Sequence, residues 1–235
     1  MIILGIDSSA KSASVALTDD DKVIGSYYTN TGLTHSQTLM PMIENLLNNA
    51  NIGIESVSLI AVNKGPGSFT GIRIGVAAAK GIADVNKTPV FGASTLESMA
   101  YNLSDTDCVA CCVMDARCNQ VYNAFFDITN GKITRLTSDS ADSIDKVEEE
   151  IKKYKKNVIL VGDGAEICYN KMECNESIRI ASQGNRFQSA IGVCFDAFNS
   201  THDNYIESTL LVPEYLRLPQ AERELNNRKK LSKGE

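Results

Sequence analysis

The pattern of apolar and polar residues along this chain predicts a regular succession of strands and helices. An apolar run at 2–7, an alternating segment at 12–18 and a further segment at 22–29 together predict a meander of strands. Apolar residues then recur at helical spacing over 36–50, and a buried strand follows at 57–62. The N-terminal part of the chain therefore predicts a mixed α/β unit.

The same pattern starts again after the polar segment 104–107. The apolar strand CVACCVMDA at 108–116 contains an aspartate near its end, as the first strand does, and strands at 119–128 and 132–138 complete a second meander. A strand–acid–turn–strand–turn–strand unit therefore occurs twice. Such an internal repeat predicts two similar α/β lobes with a cleft between them.

The repeat and the composition shifts suggest three regions. We expect the first lobe at 1–104, the second lobe at 105–200, and a tail at 201–235 that holds PEYLR and a charged helix. Within the second lobe, the pattern predicts a charged amphipathic helix over 142–154 and a strand over 157–164. A further helix is predicted over 187–198. Its residues expected to face inward are Ile191, Phe195 and Phe198.

Two local signals bear on the helices of the first lobe. Pro41 lies inside the predicted helix 36–50, and because proline is tolerated mainly in the first turn, this helix is expected to begin late or to bend. Ser94 and Glu97 stand at the spacing of a capping box, which predicts the start of another helix.

Composition and charge exclude several classes of function. The net charge of −6 argues against a protein that grips nucleic acid through a broad basic surface. No signal peptide and no apolar segment of the roughly 20 residues needed to span a membrane are visible, so we expect a cytoplasmic protein. The seven cysteines predict reduced, mostly buried thiols. Cys108 and Cys111 form a CxxC within a strand, where residues three apart point to opposite faces.

A glycine-rich segment, GPGSFTGIRIG at 65–75, resembles a phosphate-binding loop only in its general shape. A P-loop requires a lysine and a hydroxyl residue after its last glycine, whereas Gly71 is followed by Ile72 and Arg73. A dinucleotide-binding fingerprint requires a glycine where Thr70 stands. The segment matches neither motif.

The helix that follows this loop offers another explanation for the glycines. At helical spacing, Gly71, Gly75, Ala78 and Ile82 fall on one face, which is small enough for the helix to approach a sheet or a second helix closely. We therefore expect the glycines to mark close packing rather than phosphate contact.

Asp7 and Asp115 are the candidate site carboxylates. An acid at the end of a buried strand, facing a cleft, is suited to hold magnesium or polarise a water, and the hydroxyls of Ser8 and Ser9 leave phosphate contact open. The alternatives are an Asx turn at Asp7 and a salt bridge between Asp115 and Arg117. The spacing alone does not decide between these readings.

No metal centre is predicted. A helical metal site requires two ligands three or four residues apart on one face, and after His35 those positions hold Thr38 and Leu39. The other histidine, His202, is far away in sequence. We expect His35 to lie at the surface at a helix start, and we find no nucleophile with a histidine base.

Several segments resemble one family of proteins. They are LGIDSSAKSASVAL at 4–17, LTHSQTLMP at 33–41, NKGPGSFTGIRIGVAAAKGIA at 63–83, STLESMA at 94–100 and PEYLR at 213–217. Together they resemble the TsaB (YeaZ) family of bacterial tRNA threonylcarbamoyladenosine biosynthesis proteins. The resemblance spans the first hundred residues and part of the tail.

This resemblance implies a duplicated actin/sugar-kinase/heat-shock-type (ASKHA) fold, with two lobes that each have a mixed sheet flanked by helices. It also implies a non-catalytic partner of the catalytic paralogue TsaD and of the ATPase TsaE, which forms a homodimer in isolation and meets tRNA mainly through its partner. TsaD holds its metal with two histidines, and Leu39 stands where the second would be. The resemblance therefore implies no metal and no catalytic residues in this chain.

The resemblance further assigns a surface to the helices 36–50 and 71–86, which the family uses for homodimers and for TsaD. The residues mapped to this surface are Leu39, Met42, Ile43, Leu46, Gly71, Arg73, Gly75, Ala78 and Ile82. A vestigial nucleotide cleft is mapped to Asp7, Ser8, Ser9 and Asp115.

Two other functions remain as alternatives. One is an ATPase or phosphotransferase of the same fold that uses Asp7 and Asp115, and the other, which is disfavoured, is a glycoprotease-like metallopeptidase. We expect no cofactor, although weak binding of ATP or ADP is left open. We expect no membrane partner.

Overall fold

A computed structural model describes residues 1–173 and 178–217, and the predicted charged helix of the tail lies outside these residues. The strands are β1 (Ile2–Asp7), β2 (Ala13–Asp19), β3 (Lys22–Thr29), β4 (Leu59–Gly65), β5 (Val90–Ser94), β6 (Cys108–Asp115), β7 (Gln120–Thr129), β8 (Lys132–Arg135), β9 (Ser140–Ser143), β10 (Val158–Val161) and β11 (Ile178–Ile180). The helices are α1 (His35–Ala50), α2 (Phe69–Asn86), α3 (Thr95–Ala100), α4 (Ile144–Ile151), α5 (Ala165–Lys171), α6 (Gln183–Arg186) and α7 (Ala190–Asn199).

The strands form two mixed sheets with the same topology. The first sheet has the order β3-β2-β1-β4-β5, and the second has the order β11-β10-β6-β7-β8, with β9 beside β7. In each sheet the central strand pairs antiparallel with the next strand of its meander and parallel with a later strand, as β1 does with β2 and β4 and β6 does with β7 and β10. The predicted duplication is confirmed.

The first sheet is covered on both faces, which explains the continuous apolar run of β1. Leu4 and Ile6 are fully buried beneath α1 and α2. Ile3, which points the other way, is fully buried against α7. A strand that is buried on both faces carries apolar side chains in both directions.

Two helices cross between the lobes, so the predicted boundaries need a correction. Although α3 follows the first sheet in sequence, Leu96 and Met99 pack with Cys108 and Phe126 of the second sheet. The later helix α7, which the prediction placed in the second lobe at 105–200, packs against the first sheet. Each lobe therefore contributes a helix to the other.

The predicted inward face of α7 needs a correction, because Ile191 and Phe198 pack against the core of the first sheet only from its edge. Its buried apolar residues are Ala190, Val193, Cys194 and Ala197, whereas Ile191, Phe195 and Phe198 are only partly buried. The reason is close approach: a methyl group added at Gly5 of β1 would lie 2.5 Å from the carbonyl oxygen of Ala190. Only small side chains fit between a helix and a sheet at this separation.

Helix α1 does not begin late. It starts at His35 and continues through Pro41, which lies on the exposed side. The other local signal is confirmed, because Ser94 is the N-cap of α3 and its Oγ accepts a hydrogen bond from the backbone nitrogen of Glu97 at 3.3 Å. In the second lobe, the predicted helix 142–154 is shorter, since 140–143 form β9.

The cysteines of β6 are buried core residues. Cys108 packs on the side of α3 and Cys111 on the side of α4 and α5, as the alternation of a strand predicts. Burial raises the pKa of the Cys108 thiol to about 11 and that of Cys111 well above its ordinary value. Across the ranges 1–173 and 178–217, no helix is both long and apolar enough to cross a membrane.

Candidate functional site

The turn after β1 carries the first candidate carboxylate. Asp7 is only 1% exposed, and its Oδ1 accepts a hydrogen bond from the backbone nitrogen of Ser9 at 2.9 Å. This is the Asx turn that the sequence left as an alternative. Burial raises the pKa of Asp7, although hydrogen bonding by Ser9 and Asn63 opposes the effect. The carboxyl group therefore serves the local structure of the turn.

Helix α2 packs directly on this turn. Ser8 Oγ donates a hydrogen bond to the carbonyl oxygen of Gly71 at 2.8 Å. A methyl group at Gly71 would lie 2.0 Å from the carbonyl oxygen of Ser8, and one at Gly75 would lie 2.4 Å from Ser8 Oγ. Since real Cβ atoms do not approach so closely, a side chain at Gly71 would have to displace the backbone of Ser8, and one at Gly75 would have to displace the Ser8 hydroxyl. The expectation that the glycines mark close packing is confirmed.

The loop between β4 and α2 fills the space beside the same turn. It begins with a cis peptide bond between Gly65 and Pro66, and the backbone nitrogen of Ser68 donates to the carbonyl oxygen of Ser9 at 2.7 Å. A methyl group at Gly67 would lie 2.4 Å from that same oxygen and 3.2 Å from Met114 Cε of β6. The loop thus lies between the ends of β1 and β6, where the vestigial nucleotide cleft was predicted.

The turn after β6 holds the second candidate carboxylate in an open setting. Asp115 is exposed, and its Oδ1 accepts a hydrogen bond from the backbone nitrogen of Arg117 at 2.7 Å. Within the described residues no ion pair joins these two side chains, so the salt bridge that the sequence left as an alternative is replaced by a second Asx turn. Arg117, Cys118 and Asn119 follow with positive φ angles of 62°, 54° and 58°.

A nearby loop presents another acid that the sequence analysis did not single out. Asp163 lies in the turn between β10 and α5, and its Oδ1 accepts a hydrogen bond from Gln188 Nε2 at 3.2 Å. Burial raises the pKa of Asp163, and hydrogen bonds from Gln188 and the backbone of Asp115 oppose this. The sequence analysis predicted a strand over 157–164 that includes this position, but the strand pattern gave no signal for the contact with Gln188.

Residues 214–217, which follow a short helical turn at Ser208–Leu210, connect the two lobes. The backbone nitrogen of Glu214 donates to the carbonyl oxygen of Lys64 at 2.7 Å, and Arg217 Nη1 donates to the carbonyl oxygen of Ala116 at 2.6 Å. Tyr215 stacks on Phe69 at the start of α2, with ring centroids 4.4 Å apart. The PEYLR segment carries part of the family resemblance. The hydrogen bond from its Arg217 to Ala116, in the turn after β6 (the second turn), was not predicted.

The residues present do not fit a metal centre. His35 Nε2 lies 2.8 Å from the carbonyl oxygen of Ala10, so this nitrogen carries a proton and donates a hydrogen bond. Leu39, at the position of the second histidine of TsaD implied by the resemblance, is 1% exposed and packs in the core. In the described part of the chain, no three His, Cys, Asp or Glu side chains come together as metal ligands.

The turn that follows β1 (the first turn) does not fit a phosphate group either. The backbone nitrogen of Ser9 donates to Asp7, Ser8 Oγ donates to Gly71, and the first turn of α2 is capped by Ser68. These are the groups that would have to turn towards an anion at a helix N-terminus. They are used inside the chain instead.

The predicted interface requires a correction. Leu39, Met42, Ile43 and Leu46 of α1 are at most 7% exposed and form the core of the first lobe. A hydrophobic stripe on a helix shows that one face is covered, but not whether its own sheet or another chain covers it. These side chains cannot contact a partner directly.

The corresponding correction for α2 is a shift of its packed face. Gly71 and Gly75 are buried against the first turn, together with Ile72, Val76, Ala79 and Ala83. Ala78 and Ile82 lie at the border of this face and are partly buried, and Arg73 is exposed and stacks over the ring of Phe69. Whether these three residues contact a partner stays a prediction.

The two duplicated lobes place the chain in the class of actin, sugar kinases and heat-shock proteins. The ADPNP-bound activator of the 2-hydroxyisocaproyl-CoA dehydratase from Clostridium difficile superposes with a TM-score of 0.50 at 12% identity, covering 85% of this chain and 95% of that one. A Pseudomonas aeruginosa protein described as uncharacterized, with similarity to the peptidase YEAZ, superposes with a TM-score of 0.81 at 25% identity, covering 92% and 99%.

Sequence comparison narrows this class to one family. The family model described as "TsaD: tRNA N6-adenosine threonylcarbamoyltransferase" matches residues 29–227. The tRNA threonylcarbamoyladenosine biosynthesis protein TsaB of Bacillus subtilis (strain 168) is 33% identical over 226 residues, which cover 94% of this chain and 96% of that protein. The chain therefore belongs to the TsaB family, and the resemblance seen in its motifs is confirmed.

Proposed function

We propose that this chain is a non-catalytic subunit in the synthesis of threonylcarbamoyladenosine next to the anticodon of tRNA. It acts by binding and activating the catalytic paralogue TsaD, together with the ATPase TsaE. The observation that carries this proposal is the first turn: Ser8 and Ser9 are bound by the chain's own Gly71 and Ser68. A chain whose cleft is filled by its own loop contributes through contacts rather than through chemistry.

The docking surface that we propose is the outer side of α1 and α2. On α2, Ile74, Ala78 and Ile82 recur every four residues and are partly buried, so they form a shallow apolar stripe. Met40 on α1 and Val85 on α2 are 48% and 76% exposed. A specific interface buries about 800 Å² on each partner, which two helices can supply.

We propose that the same surface also forms a homodimer in isolation. A two-fold dimer uses one self-complementary patch on both copies, so a patch shared with TsaD would make the homodimer and the heterodimer mutually exclusive. The net charge of −6 favours tRNA contact mainly through the partner. We propose that the homodimer exchanges for the heterodimer when TsaD is present.

The docking surface is tested by placing a long charged side chain where the structure leaves room for it. A methyl group at Gly81 of α2 meets no atom within 4 Å, so Gly81→Arg leaves the core intact. Gly184 of α6, in the second lobe, is equally open and provides the matched control Gly184→Arg. Each variant is co-purified with the TsaD paralogue and then assayed for transfer to tRNA with TsaE and the threonylcarbamoyl donor.

We expect transfer only when this chain accompanies TsaD and TsaE. We expect Gly81→Arg to lose binding and transfer, and Gly184→Arg to keep both. Transfer by this chain alone would contradict the non-catalytic role. If Gly81→Arg binds as the unmodified chain does, the role can stand but the proposed surface is wrong.

We also propose that this chain requires neither nucleotide nor metal of its own. The internal use of the groups around Asp7 and the replacement of a metal ligand by Leu39 support this. Calorimetric titration with ATP and magnesium, and metal analysis of the purified chain, test it. Submicromolar binding that Asp7→Ala abolishes, or a stoichiometric metal, would overturn this part of the proposal.

A further inference from the structure

A cavity of about 750 Å³ is bordered by the ends of β4 and β5 and by the segment that follows α7. It is bordered by both lobes: Gly92 of β5, Glu97 of α3, Arg135 of β8 and Asp196 of α7 all line it. Residues of the segment 200–214 also line it. The cavity has the size of a small-molecule site, and neither the fold class nor the proposed function uses it.

One side of the cavity is an ion-pair network in which Arg135 contacts two carboxylates. Arg135 Nη2 donates to Glu97 Oε2 at 2.7 Å, and its Nη1 donates to Asp139. Ser94 Oγ donates to the other oxygen of Asp139 at 2.6 Å. The guanidinium of Arg135 also lies over the ring of Phe126, 4.7 Å from its centroid. Arg135 is therefore fixed and has two carboxylates to neutralise.

Asp196 lies beside this network but takes no part in it. It is 7% exposed and lines the cavity, and among residues 1–173 and 178–217 it has no hydrogen-bond or ion-pair partner. A buried carboxyl group without a partner is costly unless it is neutralised or meets a ligand. Burial raises the pKa of Asp196 well above its ordinary value, with further contributions from Glu97 and Asp139 that exceed the opposing effect of Arg135.

The rest of the lining combines negative charge with an apolar wall. Asp203 and Glu214 add two carboxylates, and Lys64 pairs with Glu214 at 3.2 Å. The aliphatic and aromatic side chains of the wall are Phe91, Ile206, Leu210, Leu211 and Val212. The described lining therefore carries more acidic side chains than basic ones, which are Lys64 and Arg135. This excess of negative charge lies next to an apolar surface.

We propose that this cavity binds an aliphatic amine, with an ammonium group paired to Asp196 and the methylene chain along Phe91 and Ile206. An ammonium ion supplies the hydrogen-bond donors that Asp196 lacks, and a carbon chain matches the apolar wall. A metal ion is disfavoured because Arg135 already holds Glu97 and Asp139, and because no metal-ligand cluster occurs among the described residues. Either a free polyamine or a lysine side chain of another protein carries this chemistry.

The test uses the full chain and two probes. Spermidine represents a free polyamine, and Nα-acetyl-lysine methylamide represents a lysine side chain. Each is titrated by calorimetry at near-physiological salt, in two buffers of different ionisation enthalpy. The variant is Asp196→Asn, which keeps the side-chain volume, and the matched control is Asp21→Asn, an exposed acid in the turn between β2 and β3.

We expect saturable binding of at least one probe, weakened about tenfold or more by Asp196→Asn and unchanged by Asp21→Asn. Because burial raises the pKa of Asp196 and an ammonium partner would lower it again, binding is expected to release protons, which appears as a difference in heat between the buffers. Other charged or titratable groups near Asp196 are Glu97, Tyr101, Arg135 and Asp139.

The two probes identify the source of the amine. Binding of spermidine alone indicates a free polyamine, and binding of the lysine derivative alone indicates a side chain; both results support an ammonium site. The proposal is overturned if neither probe binds, or if Asp196→Asn and Asp21→Asn bind equally well. A folded Asp196→Asn variant, checked by circular dichroism, is required for this comparison. If Asp196→Asn does not fold, Asp196→Glu takes its place in the comparison. We expect Asp196→Glu to bind the probe with altered affinity and still to release protons. Binding without proton release counts against the proposal. None of these outcomes bears on binding to TsaD.

Discussion

Each lobe ends its central strand in the same local structure, an aspartate whose Oδ1 accepts a hydrogen bond from the backbone nitrogen two residues on. The distances are 2.9 Å from Ser9 to Asp7 and 2.7 Å from Arg117 to Asp115. The surroundings of the two turns differ completely. Asp7 is buried beneath α2, whereas Asp115 is exposed to solvent.

The difference originates in the segments that come later in each repeat. In the first lobe, Gly71 allows α2 to approach so closely that a methyl group would lie 2.0 Å from the carbonyl oxygen of Ser8. In the second lobe, a methyl group at Gly164 would lie 3.0 Å from the carbonyl carbon of Met114. The Asx turn is thus a property of the local sequence, and its burial is a property of the helix that covers it.

The largest expected effect follows from this difference in approach. Gly71→Ala forces α2 away from the first turn, and we expect a loss of roughly 3 kcal/mol in the free energy of unfolding, as for an overpacked core. Gly164→Ala should cost less, because its methyl group meets the backbone at 3.0 Å. Urea unfolding of the unmodified chain, Gly71→Ala and Gly164→Ala measures the loss of stability in each variant.

Gly81→Ala is the matched control, since it adds the same methyl group to the same helix where nothing lies within 4 Å. We expect it to be neutral or to stabilise the chain by up to about 1 kcal/mol, because alanine is the better helix former. If Gly71→Ala and Gly81→Ala are equally stable, the first turn is not held by close packing and the comparison between the lobes fails.

A smaller effect is expected from the buried acid itself. Because burial raises the pKa of Asp7, the folded chain keeps this proton to a higher pH than the unfolded chain does. The free energy of unfolding therefore falls as the pH rises above the ordinary range of an aspartate towards the raised value. Asp7→Asn removes this dependence and leaves an oxygen to accept from Ser9.

Relative to the unmodified chain, Asp7→Asn should become progressively more stable as the pH rises above the ordinary range of an aspartate. The measurement is urea unfolding of both chains at several pH values, and the change of their difference with pH is the result that counts. Asp163 and Asp196 are present in both chains, so their contributions cancel. The exposed counterpart Asp115→Asn should stay within about 0.5 kcal/mol at each pH. A difference for Asp7→Asn that does not vary with pH would contradict the assignment.

The hydrogen bond from Arg217 to Ala116, which joins the two lobes, gives a smaller and more local prediction. Arg217→Ala removes the donor to the carbonyl oxygen of Ala116, and we expect a loss of about 1 kcal/mol and faster amide hydrogen exchange in the second turn. Gln120, whose nitrogen donates to the carbonyl oxygen of Arg117, is the residue to follow. Arg179→Ala, an exposed arginine of β11, is the control. Unchanged exchange at Gln120 would show that Arg217 does not hold this turn.

Much of the sheet framework was predictable because its central strands are buried on both faces. Such strands produce uninterrupted apolar runs, as in β1 and β6, and each is followed by a meander with clear turn residues. The cap at Ser94 was predictable for a similar reason, since the hydrogen bond spans only three positions. Local signals therefore recovered the duplication.

The faces of the helices were harder to predict because periodicity identifies a covered face but not what covers it. Leu39 and Met42 belong to the core of their own lobe, although they were assigned to a partner interface. On α7, close approach at Gly5 selects the small side chains of Ala190 and Cys194 for the interior and leaves the larger Phe198 partly buried at its edge. Neither outcome is encoded within the helix itself.

The candidate site was predictable only in part. Asp7 and Asp115 were found through the repeat, and the Asx turn at Asp7 was among the alternatives. The contact of Arg217 with Ala116 joins residues 101 positions apart, and the cavity around Asp196 collects side chains from five strands and helices and from the segments 138–139 and 200–214. Contacts of this kind depend on the assembled fold, so a linear pattern contains no signal for them.

The smallest expected effect concerns accessibility and leaves stability nearly unchanged. Cys118 is the exposed cysteine of the second turn, whereas the other cysteines in the described residues are buried. We expect a thiol reagent to label Cys118 rapidly in the folded chain, and peptide mapping to separate it from Cys174, which lies outside the described residues.

Placing a cysteine at the 1% exposed Ser9 by Ser9→Cys puts the same probe in the first turn. If the loop 65–68 and α2 seal that turn, this thiol should react as slowly as the buried Cys111 does. Rapid labelling at position 9 in a variant with unchanged stability would mean that the first turn opens in solution, and the two turns would then differ in their average packing but not in their access to solvent.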